Sequence, residues 1–126
     1  MVEQWEVILL AKVEDWYLDL CEQDPDTAAK VEHAIEMLAE EGPTLGRPYV
    51  DKIAGSKHHN LKELRPTRSD THIRILFIFD PLRQAILLVA GDKAGDWKGW
   101  YQLNIPIAEQ RYEAWCEHQR EEQSHD

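Results

Sequence analysis

Long apolar runs are missing from this chain, and much of what bounds its function follows from what is scarce. No stretch approaches the roughly 18 apolar residues that a membrane helix needs. Met1 is not followed by a basic and then apolar leader. The expectation is a cytoplasmic protein with no membrane partner. Cysteine occurs only twice, as Cys21 and Cys116. Both fall on the apolar sides of predicted helices, which favours two core thiols over a disulfide. His-x-x-x-His, Cys-x-x-Cys and calcium-loop spacings do not occur, and the adjacent His58 and His59 would point to opposite faces of a strand. No metal site is expected. Outside the tail, Ser56 and Ser69 sit in turns without a nucleophile elbow. Neither a GxGxxG nor a Walker loop is present, so no cofactor is expected.

What is present describes one globular domain over residues 1–126, with 43% hydrophobic and 30% charged residues. The net charge of −10 is unevenly spread. Residues 1–50 hold three Lys/Arg against twelve Asp/Glu, residues 51–100 hold nine against six, and residues 101–126 hold two against six. A basic middle lies between acidic ends. The overall charge argues against indiscriminate nucleic-acid binding but leaves room for a local basic cleft.

Periodicity gives an element order. WEVILLA (5–11) reads as a strand. Val13, Trp16, Tyr17, Leu20 and Cys21 recur at helical spacing, predicting a helix over 12–22. Asp24-Pro25 opens a second helix as N-cap and first-turn proline, and Gly42-Pro43 closes it. Residues 43–60 form a long loop, a kind of segment that often carries function. Three strands follow: LKELR (61–65), THIRILFIF (71–79) and QAILLVA (84–90). The middle one alternates, with Ile73, Ile75, Phe77 and Phe79 on one face and His72, Arg74, Leu76 and Ile78 on the other. Asp80-Pro81 turns it into the next strand as an antiparallel hairpin. Ile105-Pro106 starts a last helix, and an acidic tail from about 119 to 126 is expected to be flexible. The reading is α+β: a small antiparallel sheet, β-α-α-β-β-β-α, with helices mainly on one face.

The stretch GDKAGDWKGWY (91–101) exceeds what a strand end requires. Arg65 closes the second strand, Arg74 lies inside the third, and Lys93 follows the fourth. An arginine within so apolar a strand needs a partner or water for its head group. It could pair with Glu63 or Asp92, or it could join Arg65 and Lys93 on an uncovered sheet face to clamp a phosphate. Trp97, Trp100 and Tyr101 either cap the core or offer stacking surfaces for bases beside Lys98.

The element order, the strand ending LKELRP, the strand IRILFIFDP with its internal arginine and the exit GDKAGDWKGWY together resemble the RelE/HigB superfamily of type II toxin–antitoxin toxins. More closely, they resemble its phage-derived Gp49-like branch. The resemblance covers about residues 5–118 and rests on the order and spacing of these motifs. It implies a RelE/ParE-like fold and a metal-independent messenger-RNA endoribonuclease that often acts on the ribosome. The 2′-hydroxyl would attack the adjacent phosphate, leaving a 2′,3′-cyclic phosphate and a free 5′-hydroxyl.

The resemblance also implies roles. Arg74 would contact the scissile phosphate, with Lys93 and with Arg65 or Lys62 beside it. His72, Glu63 and Tyr101 are candidates for base and acid. Lys57, His59, Lys62, Trp97, Lys98 and Trp100 are candidate RNA contacts. Glu63 stands where some relatives carry lysine. The implied partners are a helix-turn-helix antitoxin and messenger RNA, with a homodimer or toxin–antitoxin heterocomplex as the assembly. Two other readings on the same scaffold are a ParE-like gyrase inhibitor and a non-catalytic partner of a repressor.

Overall fold

The computed structural model describes residues 4–58, 60–66 and 72–123. Strand β1 (Glu6–Leu9) leads into helix α1 (Ala11–Gln23) and helix α2 (Pro25–Glu41), followed by a 3-10 turn at Gly42–Thr44. Strands β2 (Val50–Lys52), β3 (Leu61–Leu64), β4 (Ile73–Asp80) and β5 (Gln84–Asp92) come next, and α3 (Trp97–Gln123) closes the chain. The five strands form one sheet in the order β1-β5-β4-β3-β2.

The helical hairpin forms where the sequence punctuates it. The Asp24 carboxylate accepts hydrogen bonds from the Thr27 N–H at 3.2 Å and the Thr27 hydroxyl at 2.6 Å, capping α2 just before Pro25. At the other end Gly42 has φ +56°, and the Trp5 indole lies where its side chain would be. Only glycine meets both conditions there.

Alternation along β4 divides the core between the two faces of the sheet. Ile75 and Phe77 join Val13, Val31 and Leu38 under the α1–α2 hairpin. Leu76 and Ile78 join Leu61, Ile86 and Leu88 under Ala108 of α3. The register between β4 and β5 shifts at Leu76/Phe77, where Leu88 is the extra residue. This bulge puts Leu88 and Val89 on the same side, toward α3. The Leu88 carbonyl accepts a 2.7 Å hydrogen bond from Arg111 Nη1, tying α3 to the bulge.

Several sequence expectations change. The segment read as a loop contains β2, too short to show alternation, which pairs antiparallel with β3. The sheet is mixed, because β1 joins β5 in parallel at its edge. With α1 and α2 on one face, the other face is not bare: α3 lies across part of it. Helix α3 begins at Trp97 rather than Ile105, so Pro106 falls inside it. Its start is capped by Asp96, whose carboxylate accepts from the Gly99 N–H at 3.0 Å. The tail expected from about 119 is helical through Gln123. Both cysteines are free and half-buried. No helix among the described residues is long and apolar enough to cross a membrane.

Candidate functional site

Strand β2 with the two residues after it, the end of β3, Lys93 just past β5 and the first turns of α3 enclose a cleft of about 360 Å³. Side-chain direction is set by strand parity. On β3, Leu61 faces α3 and Leu64 faces the helical hairpin, so Glu63 points to the α3 side and Lys62 away from it. Asp51 on β2 stands opposite Glu63, and Arg74 on β4 stands opposite Gly91 on β5.

Glu63 is the hub. It is 4% exposed, a burial that an ionised carboxylate tolerates only with several donors. Tyr101 donates its phenol hydrogen to Glu63 Oε1. Arg65 donates to Glu63 Oε2 through Nη2 at 2.8 Å and Nε at 3.2 Å. Arg65 Nη2 also reaches Asp51 Oδ2 at 3.2 Å, and Arg47 holds the same oxygen at 2.9 Å. Arg74, itself 7% exposed, brings Nε to 3.6 Å from Glu63 Oε1 and donates from Nη1 to the Ile73 carbonyl at 2.8 Å. Its Nε is buried and makes no hydrogen bond.

Lys93 enters from the end of β5, fixed by its backbone N–H donating to the His72 carbonyl at 2.9 Å. Its ammonium lies 5.6 Å from the Tyr101 ring centre and 5.9 Å from that of Trp97. Burial pushes the Lys93 pKa down, and the neighbouring Arg74 and Arg65 push it further, against the opposing pull of Glu63. Burial and then the hydrogen bond to Glu63 raise the Tyr101 phenol well above its ordinary range, so it remains a proton donor at neutral pH. Trp97 is 56% exposed at the mouth, with Lys98 Nζ 5.7 Å from its ring.

Of the residues expected from the sequence, Glu63, Arg65, Lys93, Trp97 and Tyr101 line the cleft. Arg74 lies behind Glu63 and does not line it. Trp100 packs over Gly91 and against the Tyr101 ring, so it is a core cap at the root of α3 rather than an open stacking surface. Lys62 points to the opposite face. Lys57 is held outside by Glu113 at 3.2 Å. The His72 side chain is exposed and does not line the cleft. His59 lies outside the described residues. Asp51, Lys52, Ile53, Ala54 and Ile105 complete the lining and were missed. The pairing of β2 with β3 that brings Asp51 in leaves no periodic trace in three residues. Among the described residues, no cluster of three or more His, Cys, Asp or Glu could hold a metal ion.

A mixed sheet with a helical hairpin on one face and the last helix across the other is a RelE-type fold, and solved structures share it. "YoeB/ParE toxin from Agrobacterium tumefaciens" superposes with a TM-score of 0.56 at 12% identity, covering 69% of this chain and 97% of that one. "The structure of YoeB dimer from Staphylococcus aureus" gives 0.53 at 12% identity, covering 66% and 90%.

Sequence comparison narrows the class. The family described as "Phage derived protein Gp49-like" matches residues 18–113. "Putative toxin HigB3" of Mycobacterium tuberculosis (strain ATCC 25618 / H37Rv) is 61% identical over 109 residues, which is 86% of this chain and 91% of that protein. "Putative toxin HigB2" of the same organism is 52% identical over 90 residues, 71% of this chain but 45% of that longer relative. The chain belongs to the phage-derived Gp49-like family, among the HigB-type toxins of toxin–antitoxin systems.

Proposed function

We propose that this protein is a metal-independent endoribonuclease toxin that cuts messenger RNA, engaged on the ribosome and silenced by a helix-turn-helix antitoxin. The observation that carries the reading is the convergence of Arg65 and Lys93, backed by Arg74, on the buried Glu63–Tyr101 pair in one open cleft.

The reaction needs a clamp for a phosphorane more negative than the ground state, and pre-placed cations supply it selectively. Arg65 and Lys93 face the cleft and take that role. Arg74 sits one layer deeper and acts through the field it adds. The 2′-oxygen bonds to phosphorus as the bond from phosphorus to the 5′-oxygen breaks. One group must accept the 2′-proton and another must protonate the departing oxygen. Of the three proton carriers raised from the sequence, Tyr101 is held protonated and His72 does not line the cleft. Glu63 is the acceptor that remains, already desolvated and facing the site. Lys93, with its lowered pKa, is the better acid for the 5′-oxygen. Trp97 at the mouth offers a ring on which a base can stack.

One observation favours a second reading, a non-catalytic partner: Glu63 and Asp51 already compensate the Arg65 charge. Induced expression of wild type and Lys93→Met, with growth followed and RNA 5′ ends mapped, separates the two. The ribonuclease gives growth arrest and new 5′-hydroxyl ends in wild type, with cleavage at least about 100-fold lower in Lys93→Met. Arrest with DNA damage and no new ends supports a gyrase inhibitor. Folded protein with no arrest supports the binding partner.

A further inference from the structure

The cleft does not end at Tyr101. Beyond that ring a second lobe of about 320 Å³ runs along α3, sharing Ala54, Tyr101 and Ile105 with the first. Its chemistry is different. Whereas Lys52, Arg65 and Lys93 line the first lobe, no lysine or arginine among the described residues lines the second. Its surfaces are Ala54, Ile105, Pro106 and the Tyr101 ring, and its polar groups are Gln102 and Glu109. A mostly apolar slot with two polar side chains suits a flat, uncharged ring with a polar edge.

Glu109 is oriented with care. Its Oε2 receives the Ser56 hydroxyl at 2.8 Å and the Lys57 backbone N–H at 2.8 Å, 53 and 52 positions away in the chain. These bonds strap the 54–58 loop to α3 and form the outer wall of the lobe. They leave Oε1 without a protein donor among the described residues. Burial raises the Glu109 pKa, but the Lys57 and Ser56 hydrogen bonds and the nearby Lys57 and His58 charges outweigh it, so the net shift is downward. Oε1 is therefore an acceptor and never a donor at neutral pH.

We propose that this second lobe is the subsite for a nucleobase attached to the phosphate held in the first, and that Glu109 and Gln102 select bases carrying an exocyclic amino group. The inference rests on the reading of the first lobe as a phosphate site. The two lobes meet at Tyr101, so one nucleotide can place its phosphate beside Lys93 and its base beyond the ring. An ionised carboxylate oxygen accepts from the amino groups of guanine, adenine or cytosine. Uracil offers only N3–H, flanked by two carbonyl oxygens that the carboxylate repels. Gln102, able to donate and to accept, serves the remaining edge.

NMR titration of isotopically labelled protein tests this with inorganic phosphate and with the four nucleoside 3′-monophosphates. Phosphate should move signals around Lys93 and Trp97 only. The guanosine, adenosine and cytidine nucleotides should also move the Gly55 amide and the Gln102 side-chain amide. Uridine monophosphate should bind about tenfold more weakly. In Glu109→Gln the amide oxygen can keep the strap and turn its NH₂ into the lobe, so the preference should shift toward uridine while phosphate binding is unchanged. Gln102→Ala, which leaves the strap intact, should weaken all base-dependent binding about threefold or more. Nucleotides that perturb only the first lobe, or uridine binding as well as the others, would overturn the base subsite and leave the phosphate reading standing. Silence toward phosphate and nucleotides alike would overturn both.

Discussion

Tyr101, in the second turn of α3, donates its phenol hydrogen to the buried carboxylate of Glu63 on β3, 38 positions earlier in the chain. This bond joins the helix root to the sheet and makes cleft geometry depend on fold stability. Tyr101→Phe keeps the ring under Lys93 but leaves Glu63 with one donor fewer. Unfolding in urea should show a loss of about 1–2 kcal/mol. RNA cleavage should fall about tenfold or more, since the carboxylate and Arg65 lose their fixed positions.

Asp51 competes with any bound anion for Arg65, which it holds at 3.2 Å, while Arg47 holds Asp51 from the other side. Asp51→Asn should raise affinity for inorganic phosphate about threefold or more, measured at low salt where such charges are least screened. The exposed Arg47 pair contributes little, so the stability change should stay below about 1 kcal/mol. The Arg47 hydrogen bond, opposed by burial and helped by the Lys52 N–H, depresses the Asp51 pKa. The stability it lends is therefore present above its unfolded value and lost as pH falls through the lower folded one.

Gly91 lets the Trp100 indole lie on the sheet: a Cβ there would come to 3.0 Å from Nε1 and 3.4 Å from Cζ2. Gly91→Val must push the indole, and with it the first turns of α3. Overpacking of this kind costs about 1–3 kcal/mol. Because Trp97 and Tyr101 move together with Trp100, binding of phosphate or RNA should fall further than thermal stability implies. Equal affinity per folded molecule would show that the helix root does not shape the cleft.

Alkaline pH should unfold the protein through its phenols. Tyr17 is raised to about 12, first by its hydrogen bond with Cys21 and then by burial; Tyr112 is raised to about 12 by burial and then by Cys116. Tyr101 is raised as well. Folded phenols keep their protons where unfolded ones, near pH 10, lose them. Stability is therefore full below about pH 10 and declines as pH rises from there through the folded values. Denaturant midpoints measured from pH 8 to 11 should fall only above about pH 10, with phenolate absorbance appearing together with unfolding.

Much of this architecture was legible in the sequence, and the gaps have physical causes. The β4–β5 hairpin announced itself through strict alternation and Asp80-Pro81, and α2 through its Asp24-Pro25 start and Gly42 stop. Arg74 could be singled out because a charge within an apolar strand is costly, Arg65 and Lys93 as cations at strand ends, and Glu63 and Tyr101 through the family resemblance. The start of α3 was hidden because Gly95 and Gly99 read as loop and Pro106 read as a first-turn residue. In fact Gly99 makes room for the capping Asp96 carboxylate. The parallel seat of β1 beside β5 depends on the chain crossing back over two helices, which no local pattern encodes. Arg74 was expected to touch the phosphate itself, but it sits one layer deeper, because strand parity fixes a face and not a depth. Glu109 was invisible for a related reason: its partners Ser56 and Lys57 reach it only through the fold.

The sheet also insulates. The acidic side chains of α1 and α2, among them Glu14, Asp19, Glu32 and Glu36, are exposed, and the hairpin that carries them packs on the face opposite Glu63 and Lys93. A sheet and a helix layer separate those charges from the cleft by on the order of 15–20 Å. At physiological ionic strength the Debye length is about 8 Å, so an anion in the cleft meets Lys52, Arg65 and Lys93 with their neighbours Glu63 and Asp51, and little of the distant acid. The net charge of −10 therefore says little about the field inside the cleft, which its own side chains set.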